Sequence, residues 1–102
     1  MILAIDTTGQ GYSMALGESS KNCAKKKQIT RQPDEKLYPA LEALLKKRKA
    51  KLKDISAVVV AVGPGRFTGI RIGVTFGEML ALSLKKPIVG VTHFEAFASS
   101  VD

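Results

Sequence analysis

Chemistry in this chain would have to come from two glycine-punctuated turns, because little else in it has a reactive residue type at a useful spacing. The first is Asp6-Thr7-Thr8-Gly9. A carboxylate next to a turn of hydroxyls and exposed amides can hold a metal-bound phosphate, with Asp6 reaching the ion through water and Thr7 beside the anion. The same aspartate can also simply close the turn through its own backbone, which is the commoner role and the one favoured here. The second is Gly63-Pro64-Gly65-Arg66-Phe67-Thr68-Gly69. A glycine-rich turn leading into a helix aims backbone N–H groups at an anion, and Gly63, Gly65 and Arg66 are its candidate contacts. It is not a Walker A loop, since no Lys-Ser or Lys-Thr follows the glycines, and G-x-G-x-x-G is absent. A tight strand-to-helix turn without ligand accounts for it equally well.

Other chemistries lack material. His93 is the one histidine and Cys23 the one cysteine, so neither a disulfide framework nor a metal cluster built on these residues can form within the chain. No carboxylate pair has a catalytic spacing, and no nucleophile–histidine pair is evident. The expectation is a protein without catalysis of its own that needs no metal or cofactor.

The elements that would position these turns can be read from periodicity. Ile2 to Asp6 is a short apolar run and predicts a buried strand. Residues 12–16 alternate and supply an antiparallel return. Residues 22–29 form a third strand whose Lys25-Lys26-Lys27 belongs at a sheet edge, where lysine discourages further pairing. Leu37, Leu41, Leu44 and Leu45 recur at i, i+4, i+7 and i+8 and predict a helix over residues 36–49, beginning near Tyr38 or bent at Pro39. Residues 55–62 are apolar and β-branched almost throughout, as in a parallel strand buried on both faces. A second helix of about four turns follows the glycine-rich turn and ends near Lys85-Lys86-Pro87. Residues 88–91 form a last strand, and Thr92 with Glu95 makes a capping box for a final helix. The order β-β-β-α-β-α-β-α predicts one α/β domain over residues 1–102, with a mixed five-stranded sheet flanked by helices.

Gly69, Gly73, Gly77 and Ala81 recur every four residues along the second helix, a stripe without side chains where another backbone can come close. Helix-interior glycine costs roughly 0.5–1 kcal/mol against alanine, so the stripe needs a packing reason. That reason is either the domain's own sheet or a helix from another chain. Ile70, Ile72, Val74, Phe76, Met79, Leu80, Leu82 and Leu84 leave the same helix apolar on more sides than one sheet covers. With Tyr38, Leu41 and Leu45 of the first helix, they predict an apolar association surface. On the intermolecular reading, Gly73→Leu or Gly77→Leu abolishes association.

Composition sets outer bounds. The chain has 102 residues, 45% hydrophobic and 25% charged, which is ordinary globular composition. Met1 leads straight into Ile2-Leu3-Ala4 with no basic leader, which with the lone cysteine predicts a cytoplasmic protein. Sixteen Lys and Arg against nine Asp and Glu give +7. Twelve of the sixteen lie in residues 21–36 and 46–53, either as solvated surface or as a salt-sensitive contact for nucleic-acid phosphates or acidic protein. Interleaved aromatics for base stacking are missing.

Three strings, Ile2-Leu3-Ala4-Ile5-Asp6-Thr7, Gly63-Pro64-Gly65-Arg66-Phe67-Thr68-Gly69-Ile70-Arg71-Ile72-Gly73 and Gly90-Val91-Thr92, resemble the bacterial TsaB (YeaZ) family. The resemblance spans nearly the whole chain. It implies the actin-like ATPase fold shared with sugar kinases and Hsp70, in which a second domain of related topology normally follows and ATP lies between the two. The second domain is absent from this sequence, so ATP or ADP is expected only at an interface with a partner. The resemblance further implies a non-catalytic partner of the metal-containing TsaD enzyme in placing threonylcarbamoyl on tRNA adenosine, with the TsaE ATPase joining the assembly. Family members pair with themselves, as homodimers, or with TsaD through the two helices of this domain, here those around Leu37 to Leu45 and Gly69 to Leu84. Two departures stand out. Arg66 replaces the family's usual serine, and Gln32-Pro33-Asp34-Glu35-Lys36 replaces a segment that often carries histidine.

Overall fold

The computed structural model describes residues 1–18, 21–63 and 67–92, with the backbone alone at 67 and 68. Five strands and two helices follow the expected order: β1 (Ile2–Asp6), β2 (Gly11–Gly17), β3 (Cys23–Ile29), α1 (Pro33–Arg48), β4 (Ala57–Ala61), α2 (Phe67–Leu84) and β5 (Ile88–Val91). The helix expected after Thr92 lies outside the described residues.

The sheet runs β3-β2-β1-β4-β5. β1 pairs antiparallel with β2, and β2 with β3, while β4 and β5 join parallel to β1. The mixed sheet follows from the connections. Short turns allow only antiparallel neighbours, and each parallel step is bridged by a helix. The register sends Leu3, Ile5, Tyr12, Met14, Leu16, Val58 and Val60 to one face, where Leu37, Leu41, Leu44 and Leu45 of α1 and Leu80 and Ala81 of α2 cover them. Ala4 and Ala15 lie opposite each other on the other face. β3 is an edge strand, and Lys25, Lys26 and Lys27 are all exposed.

Two boundaries differ from expectation. α1 starts at Pro33, not near Tyr38. Proline is preorganised for the first helical turn, and Asp34 and Glu35 behind it complement the helix dipole there, as Lys46, Lys47 and Arg48 do at the other end. Pro39 is then an interior proline, tolerated on an exposed face where the unbonded carbonyl one turn back meets solvent. The strand expected over 55–62 is shorter, because residues Leu52–Asp54 form a 3₁₀ turn that Ile55 closes through its amide to the Leu52 carbonyl at 3.1 Å.

Candidate functional site

Parallel strands β1 and β4 end at the same side of the sheet, the usual place for a ligand crevice in open α/β sheets. β1 delivers Asp6, Thr7 and Thr8 there, all buried. The Thr8 amide and hydroxyl both donate to Asp6 Oδ1, at 2.9 and 2.6 Å, so the carboxylate closes the turn as the favoured reading expected. Among the described residues no group of three His, Cys, Asp or Glu comes together as a metal site. Gly63 sits at φ 144°, a backbone conformation that favours glycine, where the chain leaves β4. Gly65 and Arg66 lie outside the described residues.

Thr7 has a structural task. Its hydroxyl donates to the Gly69 carbonyl and accepts from the Gly73 amide at 3.1 Å, two groups that an uninterrupted helix would bond to each other. One side chain therefore fastens the end of β1 into the first turns of α2. Thr7→Val keeps the shape and removes the fastener. It is expected to lower stability by about 1–2 kcal/mol in urea titration, with Thr7→Ser close to the parent. A cavity of about 730 Å³ opens beside this turn, lined by residues including Gly9, Gln10, Thr30, Arg31 and Gly69. Burial pushes the nearby Tyr12 phenol up from its ordinary value, and its hydroxyl donates to Gln28 Oε1 at 3.3 Å.

The residues expected at an association surface divide sharply. Gly73 and Gly77 face this chain's own sheet: a Cβ on Gly73 would strike the Thr7 hydroxyl, and one on Gly77 would lie 2.6 Å from Val60 Cγ2. The close approach marked by the stripe is thus internal. Leu41, Leu45 and Leu80 are likewise core residues, at 0%, 9% and 8% exposure, and leave a partner little or nothing to touch. Gly69 is half-buried and held by Thr7.

Ile72 and Phe76, also nominated, do line a surface groove of about 420 Å³ between α1 and α2, together with Asp34, Leu37, Arg71 and Met79. Tyr38 lies one turn on from Asp34 along α1 and is 50% exposed. Met79 and Leu82, at 60% and 81%, extend the apolar surface along α2. Met79, counted above among the apolar residues of this helix, stands three residues beyond Phe76 and seven beyond Ile72, on the face turned away from the glycines. Asp34 and Arg71 were not expected at a docking surface, and they meet there only through the packing of α1 beside α2.

Comparison with known proteins agrees with this architecture. The family model for TsaD, tRNA N6-adenosine threonylcarbamoyltransferase, matches residues 25–102. The tRNA threonylcarbamoyladenosine biosynthesis protein TsaB of Buchnera aphidicola subsp. Schizaphis graminum is 38% identical over 96% of this chain and 47% of its own length. That of Escherichia coli is 35% identical over 95% and 42%. The structure of YeaZ from Pseudomonas aeruginosa superposes with a TM-score of 0.81 at 30% identity, covering 89% of this chain and 42% of that one. The chain thus spans less than half the length of these relatives, and its sheet and helices are those of an actin-like half-domain. With the family model matching most of its length and TsaB and YeaZ proteins similar along nearly all of it, the chain belongs to the TsaD/TsaB family, on the TsaB (YeaZ) branch.

Proposed function

We propose that this chain is a non-catalytic docking subunit in tRNA threonylcarbamoyladenosine biosynthesis, binding a TsaD-type enzyme, or a second copy of itself, through the α1–α2 groove. The groove carries the reading. It is apolar along Leu37, Ile72, Phe76 and Met79, has opposite charges in Asp34 and Arg71, and is continued by exposed Tyr38 and Leu82. A rim of mixed charge around an apolar centre is the composition of a specific protein interface. A TsaE-type ATPase belongs to the larger assembly on this reading. ATP or ADP would bind only where a partner completes the crevice beside Asp6, Thr7 and Gly63, and the setting is cytoplasmic. The described residues contain no helix long and apolar enough to cross a membrane.

Met79→Glu tests the reading with little risk to the fold, because that side chain is 60% exposed. Light scattering of the purified chain, alone and mixed with the TsaD-type protein of the same genome, should show a complex that Met79→Glu weakens by at least about tenfold, the effect of a charge at the centre of an apolar contact. A complex indifferent to Met79→Glu would move docking off this groove.

A further inference from the structure

The basic residues are not spread evenly over the molecule. The end of the sheet where β1, β4 and β5 begin is opposite to the Asp6 crevice, and the topology gathers several separate stretches of sequence there. The β2–β3 turn supplies Lys21, beside Asn22, which accepts from Arg48 Nη1 at 2.8 Å and so brings the last turn of α1 to the same end. That turn contributes Lys46, Lys47, Arg48 and Lys49. The 3₁₀ segment, whose Asp54 carbonyl lies 3.3 Å from the Met1 nitrogen at the start of β1, adds Lys51 and Lys53. Lys85 and Lys86 lead into β5, where the Pro87 carbonyl accepts from the Val58 amide at 3.0 Å. Nine of the sixteen Lys and Arg therefore sit at one pole.

Little there neutralises them. Among the described residues the acids at this end are Glu18, which pairs with the Met1 ammonium at 3.4 Å, and Asp54, whose carboxylate accepts the Lys51 amide at 2.8 Å. Among the described residues none of the nine is ion-paired to a carboxylate. Eight of them are lysines, all exposed, and Arg48 is committed to Asn22. Lysine is a flexible point charge that suits phosphate contact without base readout, whereas planar bidentate recognition would call for free arginine. No aromatic side chain among the described residues is at this end to stack an unpaired base; the exposed Tyr38 is near the other end of α1. With extents of 31 × 26 × 25 Å, an end face of this molecule is wide enough to meet several phosphates of a folded RNA.

We propose that this lysine pole is a sequence-independent contact for the sugar–phosphate backbone of structured RNA, at the opposite end from the crevice and bordering the docking surface only where Leu82 meets Lys85, so that tRNA and a protein partner can be held together. It rests on the reading that the chain acts in tRNA modification, and adds to it the surface that meets the RNA.

The test compares two variants with the same change in net charge, Lys46→Gln/Lys47→Gln/Lys51→Gln/Lys53→Gln at the pole and Lys25→Gln/Lys26→Gln/Lys27→Gln/Lys36→Gln along the edge strand and early α1. Binding of a fluorescein-labelled, unmodified tRNA transcript is followed by anisotropy across a potassium chloride series. With about four phosphates neutralised, the parent should give a log–log salt slope of about −3. The pole variant should bind at least about tenfold more weakly with a slope nearer −1, and the edge variant should stay within about threefold of the parent. Equal losses in the two variants would mean bulk charge alone, and an unaffected pole variant would place the contact elsewhere; either overturns the proposal. So would capture of the parent by phosphatidylserine vesicles without tRNA binding. Docking to the TsaD-type protein, measured on the same variants, should be unchanged. Loss of docking in Met79→Glu with tRNA binding intact would support two separate surfaces. Failure of the parent to dock while tRNA binding tracks the pole lysines would sink the docking reading alone.

Discussion

Gly77→Leu is expected to lower the midpoint of thermal unfolding by about 15 °C, corresponding to about 3 kcal/mol in a domain of this size. The cause is contact with the chain's own sheet. A Cβ at Gly77 lies 2.6 Å from Val60 Cγ2 and 3.1 Å from Ile88 Cδ1, and the rest of a leucine has nowhere to go unless α2 lifts off the sheet. Gly73→Leu is expected to be equally severe, because its Cβ displaces the hydroxyl that joins β1 to α2. The alanine variants separate the two sites. At Gly77 the nearest obstacle is Val60 Cγ2 at 2.6 Å, on a stiff β-branched side chain buried in the interior strand β4, while Ile88 is only half-buried and can give. Gly77→Ala should therefore cost up to about 1 kcal/mol, the shift of Val60 outweighing the roughly 1 kcal/mol gained in helix propensity. At Gly73 the obstacle is a buried hydroxyl holding two hydrogen bonds, and Gly73→Ala should cost about 1–2 kcal/mol despite the same propensity gain. Urea titration followed by circular dichroism reads all four variants. Leucine variants that unfold like the parent while losing only self-association would return the glycine stripe to an intermolecular role.

The stripe shows where sequence reasoning reaches its limit. A four-residue spacing of small residues establishes that some backbone or side chain comes close to α2, but the spacing is the same whether that neighbour is Val60 of this sheet or a helix of another chain. Features fixed by local chemistry were legible. β1 and β5 occupy the expected residues because each is a short apolar run between turn residues, and Lys25 to Lys27 lie on the edge strand because such charges cannot be buried on both faces. The start of α1 was legible too, in Pro33 followed by Asp34 and Glu35, but the more conspicuous Pro39 drew the boundary inward. The lysine pole was not legible in full. Residues 46–53 form a cluster in sequence, yet Lys21, Lys85 and Lys86 join it only through the strand order β3-β2-β1-β4-β5, which no local pattern contains.

The second large effect is expected at Leu41, and it separates core from docking surface on a single helix. Leu41 is fully buried beneath α1 in the main core, whereas Tyr38, on the preceding turn, is 50% exposed. Leu41→Ala should cost about 3 kcal/mol, within the usual range for emptying a leucine site, and lower the thermal midpoint by about 15 °C. Tyr38→Ala should change stability by no more than about 0.5 kcal/mol, as surface substitutions do. Association should show the reverse order: folded Leu41→Ala, held below its midpoint, should bind the TsaD-type partner as the parent does, while Tyr38→Ala should weaken binding about tenfold, the loss typical of an interfacial aromatic anchor. On the proposed reading, the apolar residues of α1 would serve two surfaces at different angles around one axis. Leu41, Leu44 and Leu45 are consumed by the sheet and Leu37, itself buried, only floors the groove, so most of the affinity α1 contributes must come from the side chains left outside, and Tyr38 is the large apolar one among them. A Tyr38→Ala variant that docks like the parent would leave α2, through Phe76, Met79 and Leu82, as the source of the contact and α1 as its support.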